Sequence, residues 1–190
     1  MNELPLIVGI SGASGAIYGL RVLEVLRRID IPAHLIVSRS AIQTLKEECG
    51  ATLDTARALA TEIYPNADIG AAVSSGSFRT RGMIIVPCSI RTLSDIGYGG
   101  TDNLLSRAAD VQLKERRRVV LVVRETPLHL GHLRSMVAAT ENGAIIMPPV
   151  PAFYHQPKTI DDIVNQTVGR ALDLFDIDAK IVKRWRSDAS

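Results

Sequence analysis

The small-residue segment GISGASG, Gly9 to Gly15, follows the apolar run LIVGI and leads directly into a helical pattern. Side chains of this size let a backbone come close to a ligand, and a helix start offers free N–H groups and a positive dipole end to an anion. The segment is not GxGxxG, because Ser11 stands at the middle glycine, and it is not a P-loop, because no Lys follows Gly15. After the next apolar run, AHLIV, comes Ser38, where a dinucleotide site of the usual kind places Asp or Glu for the adenosine ribose. That favours a mononucleotide and leaves an adenylate without an evident seat. After MIIVP, the residues Cys88, Ser89 and Thr92 put polar groups at the start of another helix. After VVLVV, Arg124 and Glu125 stand side by side, with Pro127 closing the extended segment. Opposite charges beside a cleft point to function before they point to a structural ion pair. Tyr154 follows in a Pro-rich loop and Arg170 in the last helical pattern; together with Lys114 and Arg124, Arg170 would give a phosphate several charge-assisted donors.

Other reactive residue types fit no chemistry so well. His129 and His132 lie three apart, and no neighbouring carboxylate or Cys completes a metal set, so no metal is expected. Cys88, behind a β-branched strand and ahead of a helix, reads as a small packed side chain. Ser14 lies in no GxSxG elbow, which argues against a hydrolase.

The elements that must hold these groups are legible as short, evenly spread apolar runs: 6–10, 33–37, 83–87, 119–123 and 144–147. None alternates with polar residues, as expected of strands buried on both faces. Between them, Ile17, Leu20, Leu23, Leu26 and Ile29 recur at helical spacing, as do Leu104, Leu105, Ala108, Val111 and Leu113. Residues 128–141 and 159–175 supply two more helices, the second with Thr159 and Asp162 in N-cap spacing. Strand alternating with helix throughout predicts an α/β fold: a doubly wound parallel sheet flanked by helices, one domain over residues 1–190. The stretch MPPVPAFYHQPK (147–158) is expected to be a stiff loop, since each Pro fixes its own backbone angle. The whole chain has 190 residues, 46% hydrophobic and 22% charged, the balance of a soluble globular domain and not of a disordered one. A net charge of +2 is too even for a nucleic-acid binder, and two Cys cannot build a disulfide framework. No apolar run is long enough to cross a membrane and no export signal is evident, so a cytoplasmic protein is expected.

With these elements in view, the order of GISGASGAIYG, SSGSF (74–78), GMIIVPCSIRTLSDI, DNLLSRAADVQLKERR, VRETPLHLGHL and GAIIMPPVPAFYHQPKTIDDIV resembles the UbiX family of flavin prenyltransferases, from residue 6 to about 175. The resemblance implies a Rossmann-like fold, a homo-oligomer that is a dodecamer built of trimers, and transfer of the dimethylallyl group of dimethylallyl monophosphate to reduced FMN. The product, prenylated FMN, would serve a UbiD-type decarboxylase in ubiquinone synthesis or aromatic-acid breakdown. By the family's pattern, Gly12, Ala13, Ser14, Ser38, Ser89, Ile90, Arg91, Thr92 and Arg124 contact FMN. Arg107, Lys114, Tyr154, Arg170 and Trp185 match positions that hold the dimethylallyl phosphate, and Glu125, Glu48 and Ser14 match groups that act on it. The residues alone leave two rivals: an FMN-dependent decarboxylase of an aromatic acid using Cys88 or a His as acid, and a subunit that only delivers FMN.

Overall fold

A computed structural model describes residues 3–185. Four central strands, β1 (Leu6–Ile10), β2 (Ala33–Val37), β4 (Gly82–Cys88) and β5 (Val119–Val123), are buried along their whole length except for half-buried His34. Burial on both faces is why these sequences run as unbroken Val, Ile and Leu. Short strands β3 (Glu62–Pro65) and β6 (Ile145–Ile146) close the edges of a six-stranded, all-parallel sheet in the order β3-β2-β1-β4-β5-β6. Among the described residues seven α-helices cover it: α1 (Ala16–Arg28), α2 (Arg39–Cys49), α3 (Leu53–Leu59), α4 (Ile90–Tyr98), α5 (Leu104–Lys114), α6 (Leu130–Glu141) and α7 (Ile160–Asp173). On one face Leu20, Leu23 and Leu26 of α1 pack with Val168 and Leu172 of α7; on the other, Leu93 of α4 packs with Leu105 and Ala108 of α5. This is the doubly wound, Rossmann-like architecture expected from the sequence. Among the described residues no helix is long and apolar enough to cross a membrane.

Four elements depart from the expectation. Strand β3, EIYP, is polar, only partly buried and ends in Pro, so it carries no apolar run. Helices α2 and α3 bury only Ala41 and Leu45, and Ala56, too few to mark a stripe. The run 144–147 contributes just two residues to the sheet, because β6 is an edge strand paired only with β5.

The strand order reverses between β1 and β4, and a crevice opens outside their carboxyl ends. Ser11 explains its own departure from the glycine pattern there. Its buried hydroxyl donates to the Pro87 carbonyl (2.9 Å) and accepts from the Ser89 amide (2.7 Å), fastening the loop after β1 to the loop after β4. Gly19 sets the other side of the crevice by letting α1 lie against β4. A Cβ at Gly19 would fall 2.6 Å from the Val86 carbonyl oxygen and 2.9 Å from Ile10 Cδ1. Gly19→Ala is therefore expected to cost about 2 kcal/mol of overpacking and to lower the calorimetric melting midpoint by roughly 4–8 °C.

Candidate active site

A cavity of about 620 Å³ lies at the carboxyl ends of β1, β2 and β4, and Gly12, Ser38, Ser40, Ser89, Arg91 and Asn103 are among its lining residues. Three helix N-termini meet in it. Ser38 caps α2 by accepting from the Ala41 amide (3.2 Å), Ser89 caps α4 by accepting from the Thr92 amide (3.3 Å), and Asn103 caps α5 by accepting from the Ser106 amide (3.2 Å). A fourth polar residue, Asn66, ties the end of β3 to α5 by accepting from the Leu105 amide (2.9 Å). Each cap satisfies one amide and leaves others of the first turn without helical partners, so three positive dipole ends face one space. A phosphate fits such a space. Gly12 supports it by close approach: a Cβ there would sit 2.4 Å from Ser40 Cβ, so the loop after β1 rests on the first turn of α2. One acid, Asp95, also faces the cleft; burial raises its carboxyl above the usual range, Arg91 opposes this and Asp102 adds to it.

The start of α1 behaves differently from the expectation of free amides. The Glu48 carboxylate, from the last turn of α2, already accepts from the Gly15 (2.8 Å) and Ala16 (3.0 Å) amides. The anion at this helix start is thus built in, and the helix starts left open to the cleft are those of α2, α4 and α5. Burial pushes the Glu48 carboxyl up, but hydrogen bonds from the Ser14 hydroxyl and the two amides, with the Arg124 charge nearby, outweigh it and hold the group below its ordinary value. Ser14, Glu48 and Arg124 therefore form one connected set. Glu125 follows Arg124, exposed at the carboxyl end of β5, with one carboxylate oxygen accepting from the Thr126 amide (3.0 Å).

Cys88 faces away from this chemistry. It is fully buried, burial pushes its thiol far up, and its sulfur lies 3.6 Å from the Ser89 carbonyl oxygen. Neither a thiolate nor contact with a cleft ligand is available to it. Cys88→Ala is expected to retain FMN binding and turnover within about tenfold, and native Cys88 should resist alkylation while half-buried Cys49 reacts. A loss of activity well beyond that would restore a role for the thiol.

The remaining residues expected at the site do not all gather there within one chain. Gly12, Ser38, Ser89, Arg91 and Thr92 line the cleft, and Ala13 and Ile90 adjoin lining residues in sequence. Tyr154, from the loop before α7, and Trp185, from the segment after it, form a second cluster with side chains of α7, the helix that carries Arg170. The Tyr154 hydroxyl accepts from Gln166 (2.7 Å), Trp185 stands edge-on to Tyr154 (5.5 Å between centroids), and Arg170 pairs with Asp173 (2.7 Å), which also receives Arg184. Arg107 pairs with Asp110 (2.7 Å) on α5. Lys114 ends α5, paired with Glu115 (2.5 Å) beside Gly76, at the amino ends of β4 and β5. The eleven residues of α5 separate Lys114 from the cleft by about 16 Å along the helix. Lys114, Arg124 and Arg170 thus do not converge in a single chain. The cleft residues that sequence reasoning missed are Arg39, Ser40, Gln43, Asn66, Asp95 and Asn103. Four of these sit on or beside β3 and α2, elements without a clear sequence signal; Asn103 was readable as a cap ahead of Leu104 and Leu105.

A parallel sheet with a polar, anion-seeking cleft at its switch point defines a mononucleotide-binding α/β protein. The family named Flavoprotein matches residues 1–172. Flavin prenyltransferase UbiX of Escherichia coli K12 is 60% identical over 184 residues, covering 95% of this chain and 97% of that protein. UbiX of Thauera aromatica is 56% identical over 180 residues, covering 95% and 93%. The crystal structure of AnUbiX in complex with FMN and dimethylallyl pyrophosphate superposes with a TM-score of 0.95 at 50% identity, covering 96% of this chain and 97% of that one. A dodecameric FMN-dependent UbiX-like decarboxylase from Escherichia coli O157:H7 gives 0.93 at 45%, covering 96% and 99%. The peptidyl-cysteine decarboxylase EpiD, at 13% identity and a TM-score of 0.65, shares the fold alone. The chain belongs to the flavoprotein family and, within it, to the UbiX flavin prenyltransferases.

Proposed function

We propose that the protein transfers the dimethylallyl group of dimethylallyl monophosphate to reduced FMN. The observation that carries the FMN seat is the meeting of three capped helix N-termini in one cleft. Ser38 and the turn Ser89–Thr92 hold the flavin phosphate, Gly12, Ala13 and Ser14 let the loop after β1 lie close to the cofactor, and Arg124 contacts it from the end of β5. Reduced FMN supplies the electron-rich ring that accepts the allyl group. The chain's own residues do the rest. Lys114, Arg107, Arg124 and Arg170, with the Tyr154 hydroxyl, neutralise the phosphate as it leaves, and Trp185 walls the prenyl group. Glu125 moves a proton between the phosphate and the adduct, and the Ser14–Glu48 pair orients the loop on which the flavin rests.

For Lys114 and the α7 cluster to act at the cleft, other copies must bring them. We take the chain to form a homo-oligomer, a dodecamer of trimers like its dodecameric relative, with each site completed by neighbours. The product goes to a UbiD-type decarboxylase in the cytoplasm. A direct decarboxylase using Cys88 as its acid is not favoured, because Cys88 is buried out of reach of a cleft ligand. The deciding experiment is anaerobic incubation with FMN, a reductant and dimethylallyl phosphate, followed by mass analysis of the flavin. A mass gain of one dimethylallyl group is the expected result; unaltered FMN would overturn the reading, and flavin carried through unchanged to a partner would favour delivery alone.

A further inference from the structure

Beside the flavin cleft, a second cavity of about 380 Å³ opens at the carboxyl ends of β2 and β3. Val37, Ile42, Leu53, Ile63 and Tyr64 give it apolar walls, and it shares Arg39 and Asn66 with the cleft. In a sheet of order β3-β2-β1-β4-β5-β6 this is the side of the switch point on which the adenosine half of a dinucleotide lies. The residue type that selects the ribose there is known in physical terms: a carboxylate accepts from a free 2′-hydroxyl, whereas an Arg accommodates a 2′-phosphate. Here β2 runs into Ser38, Arg39 and Ser40, and no Asp or Glu lines the cavity. Arg39 is exposed, and among the described residues its side chain has neither hydrogen bond nor ion pair. Arg57, also in the lining, has only an exposed pair with Asp54 at 3.4 Å. An apolar-walled groove with one unpaired and one exposed, loosely paired guanidinium suits an aromatic base carrying a phosphate.

We propose that this groove is a nucleotide subsite for 2′-phosphoadenosine, the end group of a phosphorylated nicotinamide dinucleotide, held beside the bound flavin. The base lies against Ile42, Leu53 and Tyr64, and the 2′-phosphate meets Arg39 with Arg57. The sequence left an adenylate no seat because the seat is built from β3, α2 and α3, which it did not announce. The proposal rests on FMN occupying the neighbouring cleft, and its test separates the two claims.

The probe is adenosine 2′,5′-bisphosphate, titrated calorimetrically into FMN-loaded protein and into protein stripped of flavin, with 5′-AMP alongside. One equivalent per chain is expected in both forms, with 5′-AMP at least about tenfold weaker because it lacks the phosphate that Arg39 receives. Ile42→Trp, which fills the groove from a partly exposed position, and Arg57→Glu, on the surface, should each weaken the bisphosphate at least about tenfold and leave FMN affinity within about twofold. Binding only to the flavin-free form would place the bisphosphate in the cleft and overturn the proposal. So would no binding, equal affinity for 5′-AMP, or indifference to both variants. Failure of FMN itself to bind would count against the cleft, and the flavin-free titration would still decide the groove.

Discussion

Glu125→Gln is expected to slow prenyl transfer by at least about a thousandfold while FMN and dimethylallyl phosphate bind with affinities changed by no more than a few fold. Glu125 is exposed, so the fold does not depend on it, and Gln can still accept from the Thr126 amide that the carboxylate now holds at 3.0 Å. The variant therefore changes charge and proton capacity with little else. A carboxylate next to Arg124, in a site that must receive a phosphate ester, repels the substrate and would be a poor binding device. It is useful only if it carries a proton. Rapid-quench mass analysis of the flavin gives the rate, and calorimetry gives both affinities. Normal turnover would remove the proton-transfer role; weakened binding with unchanged turnover would make Glu125 a positioning group instead.

The central sheet and several polar residues at its crevice end were legible because they are written in local signals, whereas prenyl transfer was implied only by the resemblance. A buried parallel strand has to be an unbroken apolar run, and the polar residues that follow such runs in this chain, at Ser38, Ser89 and Arg124, all stand at the crevice end of the sheet. Edge elements carry no such requirement. Strand β3 has one pairing partner and solvent on its other side, so Glu62 and Pro65 are tolerated and the strand passes unnoticed; the groove that it builds passes unnoticed with it. The capture of α1's amides by Glu48 is a contact across thirty-two and thirty-three residues of chain, which no spacing rule announces. Ser11 was visible as an exception to a glycine pattern, but its two bonds to the loop after β4 exist only once β1 and β4 are paired. Arg124, Lys114 and Arg170 are each the right type of residue for a phosphate. Whether they meet depends on which end of the sheet each element leaves them, and composition is silent on that.

That separation leads to the second large effect. In one chain Glu125 stands at the carboxyl end of β5 and Lys114 precedes its amino end, on the far side of the sheet. If Lys114 helps neutralise the leaving phosphate, it does so in the cleft of another copy. Lys114→Glu should then lose most activity at low dimethylallyl phosphate, and Glu125→Gln should be inactive on its own, but the two are expected to rescue each other. When the oligomers are dissociated and reassembled from equal amounts of both variants, a site that takes Glu125 from one chain and Lys114 from another has about a quarter chance of receiving both natural residues. A site built within one chain has none, because every chain carries one lesion. Recovery of about a quarter of wild-type activity in the mixture, absent when the variants are simply combined without reassembly, is the expected outcome. A reassembled mixture as inactive as its parents would confine the site to a single chain and leave Lys114 as a surface partner of Glu115 and nothing more.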